Sequence, residues 1–142
     1  MSTSTEKIDY LLLFRNTNWD KDLTPELRQT VVTDWYAWFD RLKQEGKCSG
    51  GHPLREEGKL VSGKKGRTVA DGPFAESKEA VGGYFYLHVT DEAEAIAIAQ
   101  QCPGLDYGAV VEVRPVAEMC SVRARAVEYA ASNGQLAGAP AS

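Results

Sequence analysis

Residues 83–89, Gly-Tyr-Phe-Tyr-Leu-His-Val, alternate between two chemistries. Successive side chains of a strand point to opposite faces, so Phe85, Leu87 and Val89 share one face and Tyr84, Tyr86 and His88 the other. A chain built around this strand needs helices on the apolar side of a sheet. The opposite face is too polar to pack on a helix and suits a second copy that encloses a polar cavity. Tyr86 and His88, with Glu112 and Arg114 of a later strand, form a secondary candidate pocket on that face. Ordinary interface packing accounts for the same residues.

Other segments supply the partners of this strand. Ile8 to Arg15 is a short apolar run of strand type. Thr24-Pro25-Glu26 opens a helix, with a cap oxygen, a proline where no N–H is needed, and an acid at the positive end of the dipole. Leu27, Val31, Trp35, Trp38 and Leu42 recur every three or four residues as one buried stripe, and Gly46 stops it. A second strand follows over Lys47 to Leu54, and its Pro53 suits a sheet edge. Leu60-Val-Ser and Arg67-Thr-Val flank a Gly-Lys-Lys-Gly turn and predict an inserted hairpin. Thr90-Asp91 caps a helix to about Gln101, and a last strand runs from about Tyr107 to Val116. This order predicts an α+β, ferredoxin-like split βαβ fold with an antiparallel sheet. A length of 142 residues with 43% hydrophobic content suits one domain. The expected divisions are a polar tail at 1–7, the domain at 8–116 and an extension at 117–142, in which residues 118–131 can form a short helix.

The segment Asp71-Gly-Pro-Phe-Ala-Glu-Ser-Lys-Glu, followed by Gly82-Gly-Tyr-Phe85, carries the strongest motif. Asp, Gly and Pro in succession reverse the chain, and Phe74 is expected to pin the loop to the core. Asp71, Glu76 and Lys78 can then converge as an acid–base set, because two carboxylates beside an ammonium shift one another's titration. Equally, Asp71 only closes the turn while Glu76 and Lys78 form a solvated pair.

This motif, with Tyr10-Leu-Leu-Leu-Phe14, Glu45-Gly46, Gly50-Gly-His-Pro-Leu54 and Val111-Glu-Val-Arg-Pro115, resembles the DGPF-domain proteins, a branch of the YCII-related family. The resemblance spans roughly Tyr10 to Pro115. It implies a ferredoxin-like fold that dimerises through its sheets as a dimeric α/β barrel, in bacterial cytoplasmic proteins whose activities are mostly unknown. Shorter members resemble small enzymes with a His in the first helix and an Asp near its end, a pair proposed for acid–base chemistry. Counting back from Gly46, those positions here hold Trp35 and Gln44, which exchange no proton near neutral pH. A catalytic version of this chain must use other groups.

The expected topology gathers the ends of the first two strands and the starts of the Gly83 strand and the last strand at one end of the sheet. Arg15, Trp19, Asp20, His52, Asp71, Glu76, Lys78, Tyr84, Asp106 and Tyr107 meet there. In such a cleft Arg15 or Lys78 clamps a carboxylate, with Trp19 and Tyr84 beside the ligand, while Asp71, His52 or Glu76 moves a proton. His52 as an edge-strand surface residue, and His88 as an interface residue, are the plain alternatives.

The net charge of −4 argues against sequence-independent nucleic-acid binding. Neither histidine has a second ligand at metal spacing, no glycine pattern opens a helix to cradle phosphate, and Cys48, Cys102 and Cys120 lack paired spacing. No metal and no cofactor is expected. The polar start and the lack of a long apolar run predict a soluble, cytoplasmic protein with no membrane partner. Three function classes remain: a small enzyme doing acid–base chemistry on a small polar or anionic substrate, a structural homodimer without ligand, and a ligand-binding or regulatory protein. The resemblance suggests the last, because DGPF-type proteins often accompany extracytoplasmic-function sigma factors.

Overall fold

The computed structural model describes residues 6–74, 77 and 79–133. Four strands form one antiparallel sheet: β1 (Ile8–Arg15), β2 (Cys48–Pro53), β5 (Gly83–Val89) and β6 (Val110–Pro115), in the order β2-β5-β1-β6. Two strands, β3 (Lys59–Ser62) and β4 (Thr68–Asp71), pair as a separate hairpin. Three helices are α1 (Pro25–Gln44), α2 (Glu92–Ala99) and α3 (Ser121–Ser132). The result is an α+β fold whose strand order is the one expected of the split βαβ pattern.

Pairing in register makes the sheet two-faced. Tyr10, Leu12 and Phe14 of β1 lie opposite Leu87, Phe85 and Gly83 of β5 and are buried under the helices. Val31, Trp38 and Leu42 of α1 and Ala95, Ile98 and Ala99 of α2 supply the other half of the core. Leu12, Leu87 and Val89 are fully buried, so removing any of these side chains leaves a cavity. On the opposite face Asp9, Leu11 and Leu13 lie across from His88, Tyr86 and Tyr84, and all six are only half-buried.

Capping follows the local sequence. The Thr24 hydroxyl accepts from the Leu27 N–H at 3.1 Å, with Pro25 in the first turn of α1. The Asp91 carboxylate accepts from the Glu94 N–H at 2.8 Å, and Glu94 reaches back to the Thr90 N–H at 2.8 Å. That contact to the Thr90 backbone, aided by the Thr90 hydroxyl and Lys47, holds the Glu94 carboxyl below its usual range.

The structure departs from the sequence expectations in several places. Phe74 does not pin its loop, since it is 62% exposed. Asp71 ends β4, and the Gly72-Pro73 peptide that follows it is cis. The last strand begins at Val110, because Leu105–Tyr107 coil into a 3-10 turn ended by Gly108 at φ +103°. Asp106 and Tyr107 therefore sit on that turn and not on a strand. The inserted hairpin and the short helix after the last strand are present as expected; all eight strand residues of the hairpin are exposed, as are Val122 and Tyr129 of α3, which buries no residue.

Candidate functional site

The end of the sheet where β1 and β2 finish and β5 begins carries a cavity of about 330 Å³. Strand register brings its polar groups together: His52 of β2 lies opposite Tyr84 of β5, next to the pairing of Pro53 with Gly83. The His52 Nδ1 and the Tyr84 hydroxyl are 2.7 Å apart. With Nε2 protonated, Nδ1 accepts from the hydroxyl; with Nδ1 protonated, it donates to it. Either way one proton lies between the two side chains, which by the strand alternation stand on the open sheet face, opposite Phe85.

Two glycines make this approach possible. A Cβ on Gly51 would stand 2.3 Å from the Tyr84 carbonyl oxygen, and one on Gly83 would stand 3.0 Å from the His52 carbonyl oxygen. Side chains at either position would push β2 off β5 and separate His52 from Tyr84.

The remaining walls are aromatic. Trp19 and Trp35 stack at 5.8 Å with planes 14° apart, and Phe14 meets Trp35 edge-on at 5.0 Å. Phe85 packs against Phe14 at 4.8 Å and Phe39 at 4.7 Å. Tyr36, 61% exposed, and Val32 stand on the α1 side of the cavity. Among the described residues lining this cavity, Arg15 alone is charged.

Arg15 is already engaged. Its Nε–H donates to Glu112 Oε1 at 2.8 Å, its second terminal nitrogen lies 2.7 Å from the same oxygen, and its first donates to the Glu79 carbonyl at 2.8 Å. Glu112 also meets Arg114 at 2.5 Å. The hydrogen bond from Arg15 is the main reason that the Glu112 carboxyl titrates below its usual range, with the Arg114 charge adding to it. Arg15 thus ties β1 to β6 and to the segment entering β5.

The structure brings Arg15, Trp19, His52 and Tyr84 together around one cavity. Asp71 lies apart, its carboxylate paired with Lys59 across the hairpin. Asp20 is held by Arg28 at 3.1 Å. Glu76 and Lys78 lie outside the described residues. A second cavity of about 490 Å³ beside the first has Gly72, Pro73, Arg55, Glu57, Lys59 and Glu79 in its walls, so the signature turn borders this polar space and not the aromatic one.

On the open sheet face, Tyr86 and His88 converge on a residue that sequence reasoning missed. Asp9 accepts from the Tyr86 hydroxyl at 2.9 Å and lies 2.8 Å from His88 Nδ1. These hydrogen bonds, that of His88 first, hold the Asp9 carboxyl below its usual range, and the bond to Asp9 pushes the Tyr86 phenol up. Strand register was the signal, since Asp9 pairs directly with His88. Arg114 is not part of this cluster and sits with Glu112 instead. Among the described residues no group of three or more His, Cys, Asp or Glu side chains could hold a metal ion, and no helix is long and apolar enough to cross a membrane.

Compared with known families, the chain matches the model of the YCII-related domain over residues 10–120. No curated protein matches it.

Proposed function

This chain belongs to the YCII-related family, and from that premise we propose that it is a small enzyme that moves a proton on a small ligand held at this end of the sheet, with His52 and Tyr84 as its acid–base pair. The observation that carries the reading is the 2.7 Å contact between the His52 and Tyr84 side chains on the open sheet face, at the sheet end whose helix side carries the wall of a cavity of about 330 Å³. Trp35, at the position where the resemblance puts a histidine in shorter members, stands in the same wall. The acid–base role passes in this chain to a strand histidine from the neighbouring edge. Asp71 is left out of the reading, because Lys59 holds it in the hairpin.

The reading also includes a homodimer of ferredoxin-like subunits formed through the open sheet face. Among the described residues its carboxylates already have partners within one chain, Asp9 in His88 and Tyr86 and Glu112 in Arg15 and Arg114, so covering the face leaves neither carboxylate without a partner.

A thermal-shift screen of small organic compounds tests the catalytic reading. A ligand that binds only the folded state raises Tm, and a genuine hit loses its effect in His52→Ala and in Tyr84→Phe. A set of hits indifferent to both substitutions would sink it.

A further inference from the structure

We infer that the β3–β4 hairpin is an arm that docks on the exposed side of α1 in a second copy of this chain, its basic tip against the acids of that helix. This contact does not depend on the acid–base reading and is separate from the interface proposed for the open sheet face.

The hairpin has little support of its own. It pairs with no strand of the main sheet, and every residue from His52 to Asp71 is exposed. A two-stranded hairpin alone in water is only marginally stable. Cross-strand register puts Val61 opposite Val69 on one face and Leu60 opposite Ala70 on the other, so apolar groups stand in solvent on both sides. Val61, Val69 and Leu60 are 65%, 62% and 48% exposed. Apolar side chains clustered in solvent on one element mark a contact surface.

Charge selects the partner. Residues 59–71 carry four basic side chains and one acidic one, a net +3 in a chain of net −4, so the remainder carries −7. Lys59 is matched by Asp71, which leaves Lys64, Lys65 and Arg67 at the tip with no ion pair among the described residues. The exposed side of α1 is the complement. Its carboxylates Glu26, Asp34 and Asp40 have no ion pair among the described residues either. Its basic residues are occupied, Arg28 by Asp20 at 3.1 Å, Arg41 by Gln101 at 3.4 Å and Lys43 over the Phe39 ring at 5.1 Å. Val32 and Tyr36 of the same helix, 43% and 61% exposed, offer apolar surface to the arm. Opposite potentials steer such an encounter and fix its register. A closed two-fold dimer results when each copy gives one arm and receives one. Because Val32 and Tyr36 border the aromatic cavity, the arriving arm also covers its α1 side.

The test measures self-association of the full-length protein by sedimentation velocity, with carbodiimide cross-linking of an equilibrated mixture of 15N-labelled and unlabelled protein. Association should weaken as salt rises, and weaken about tenfold or more in a tip variant carrying Lys64→Glu, Lys65→Glu and Arg67→Glu. Cross-links should join Lys64 or Lys65 to Glu26, Asp34 or Asp40 in peptide pairs of mixed isotope. A helix variant carrying Asp34→Lys and Asp40→Lys should lose association likewise. Mixing the two variants should restore a heterodimer, because each arm then meets a helix of opposite charge. Cooperative urea unfolding of each variant separates lost docking from lost folding. A wild-type monomer at every concentration measured refutes the docking. So do cross-links confined to one isotope, which place the arm on its own α1. A dimer indifferent to the tip variant, with no cross-link from the tip, also refutes it and leaves the sheet-face interface standing.

Discussion

Replacing Gly51 by alanine tests the architecture of the site more sharply than removing a polar group. Gly51 lies opposite Phe85 in the pairing of β2 with β5. An added methyl would stand 2.3 Å from the Tyr84 carbonyl oxygen, 2.8 Å from Phe85 Cδ1 and 3.1 Å from Phe85 Cα. Real Cβ atoms essentially never come closer than 3.0 Å, so something must move by about 0.7 Å. The Phe85 ring cannot give way, because Phe14, Trp38 and Phe39 hold it with ring centroids 4.8, 4.9 and 4.7 Å away. The edge strand β2 must retreat instead. Overpacking of this kind costs about 1–3 kcal/mol. A Gly-to-Ala change also restricts the unfolded chain, which offsets about 0.4–1 kcal/mol. The centres of those two ranges give an expected net loss of about 1.3 kcal/mol. For a domain of this size that lowers Tm by roughly 3–8 °C. Urea unfolding should show a lower midpoint with an unchanged slope, since the unfolded surface is the same. The retreat also draws His52 away from Tyr84, so any compound from the thermal-shift screen whose effect depends on His52 should bind more weakly in parallel. A stability equal to or above wild type would refute the close approach of β2 to β5 and the site built on it.

The remaining predictions concern titration and thiol reactivity. The folded Asp9 carboxyl is held below its ordinary value of 3.8, mainly by the hydrogen bond to His88. Its contribution to stability is therefore present above that value and lost as pH falls through the folded one. Wild type should then lose more stability than Asp9→Asn between pH 5 and pH 2 in urea titrations. The difference should stay under about 1 kcal/mol, because the pair is half-exposed and screened. Equal acid sensitivity would remove Asp9 from the cluster. Burial pushes the Cys102 thiol up to about 11 and raises that of Cys48. Exposed Cys120 is lowered by the backbone N–H groups of Arg123 and Val122. Iodoacetamide at pH 8 should alkylate Cys120 in the native protein and all three cysteines only in urea, as read by intact mass. Native labelling of Cys102 at a similar rate would contradict its buried position.

Element order was legible because each segment carries its own local signal. The alternation from Tyr84 to Val89, the Thr24-Pro25 and Asp91 caps, and the stripe of Val31, Trp38 and Leu42 depend on neighbours a few residues away. The end of the sheet was legible too, since strand order alone gathers Arg15, Trp19, His52 and Tyr84. Asp71 was misplaced because its partner, Lys59, lies across a hairpin whose exact pairing no local pattern specifies. Phe74 was misread because apolar character alone does not say whether the core has room for it.

By itself, then, the amino-acid sequence determined the family, the α+β class and the face of each main strand that turns to the helices. These follow from periodicity and capping, which act within one element. Tertiary structure alone decided that Asp9 meets His88, that Glu112 neutralises Arg15, and that His52 reaches Tyr84. Each of these contacts joins residues 32 to 97 positions apart. Their energies depend on registers and distances of a few ångströms, which arise only when the strands are laid side by side.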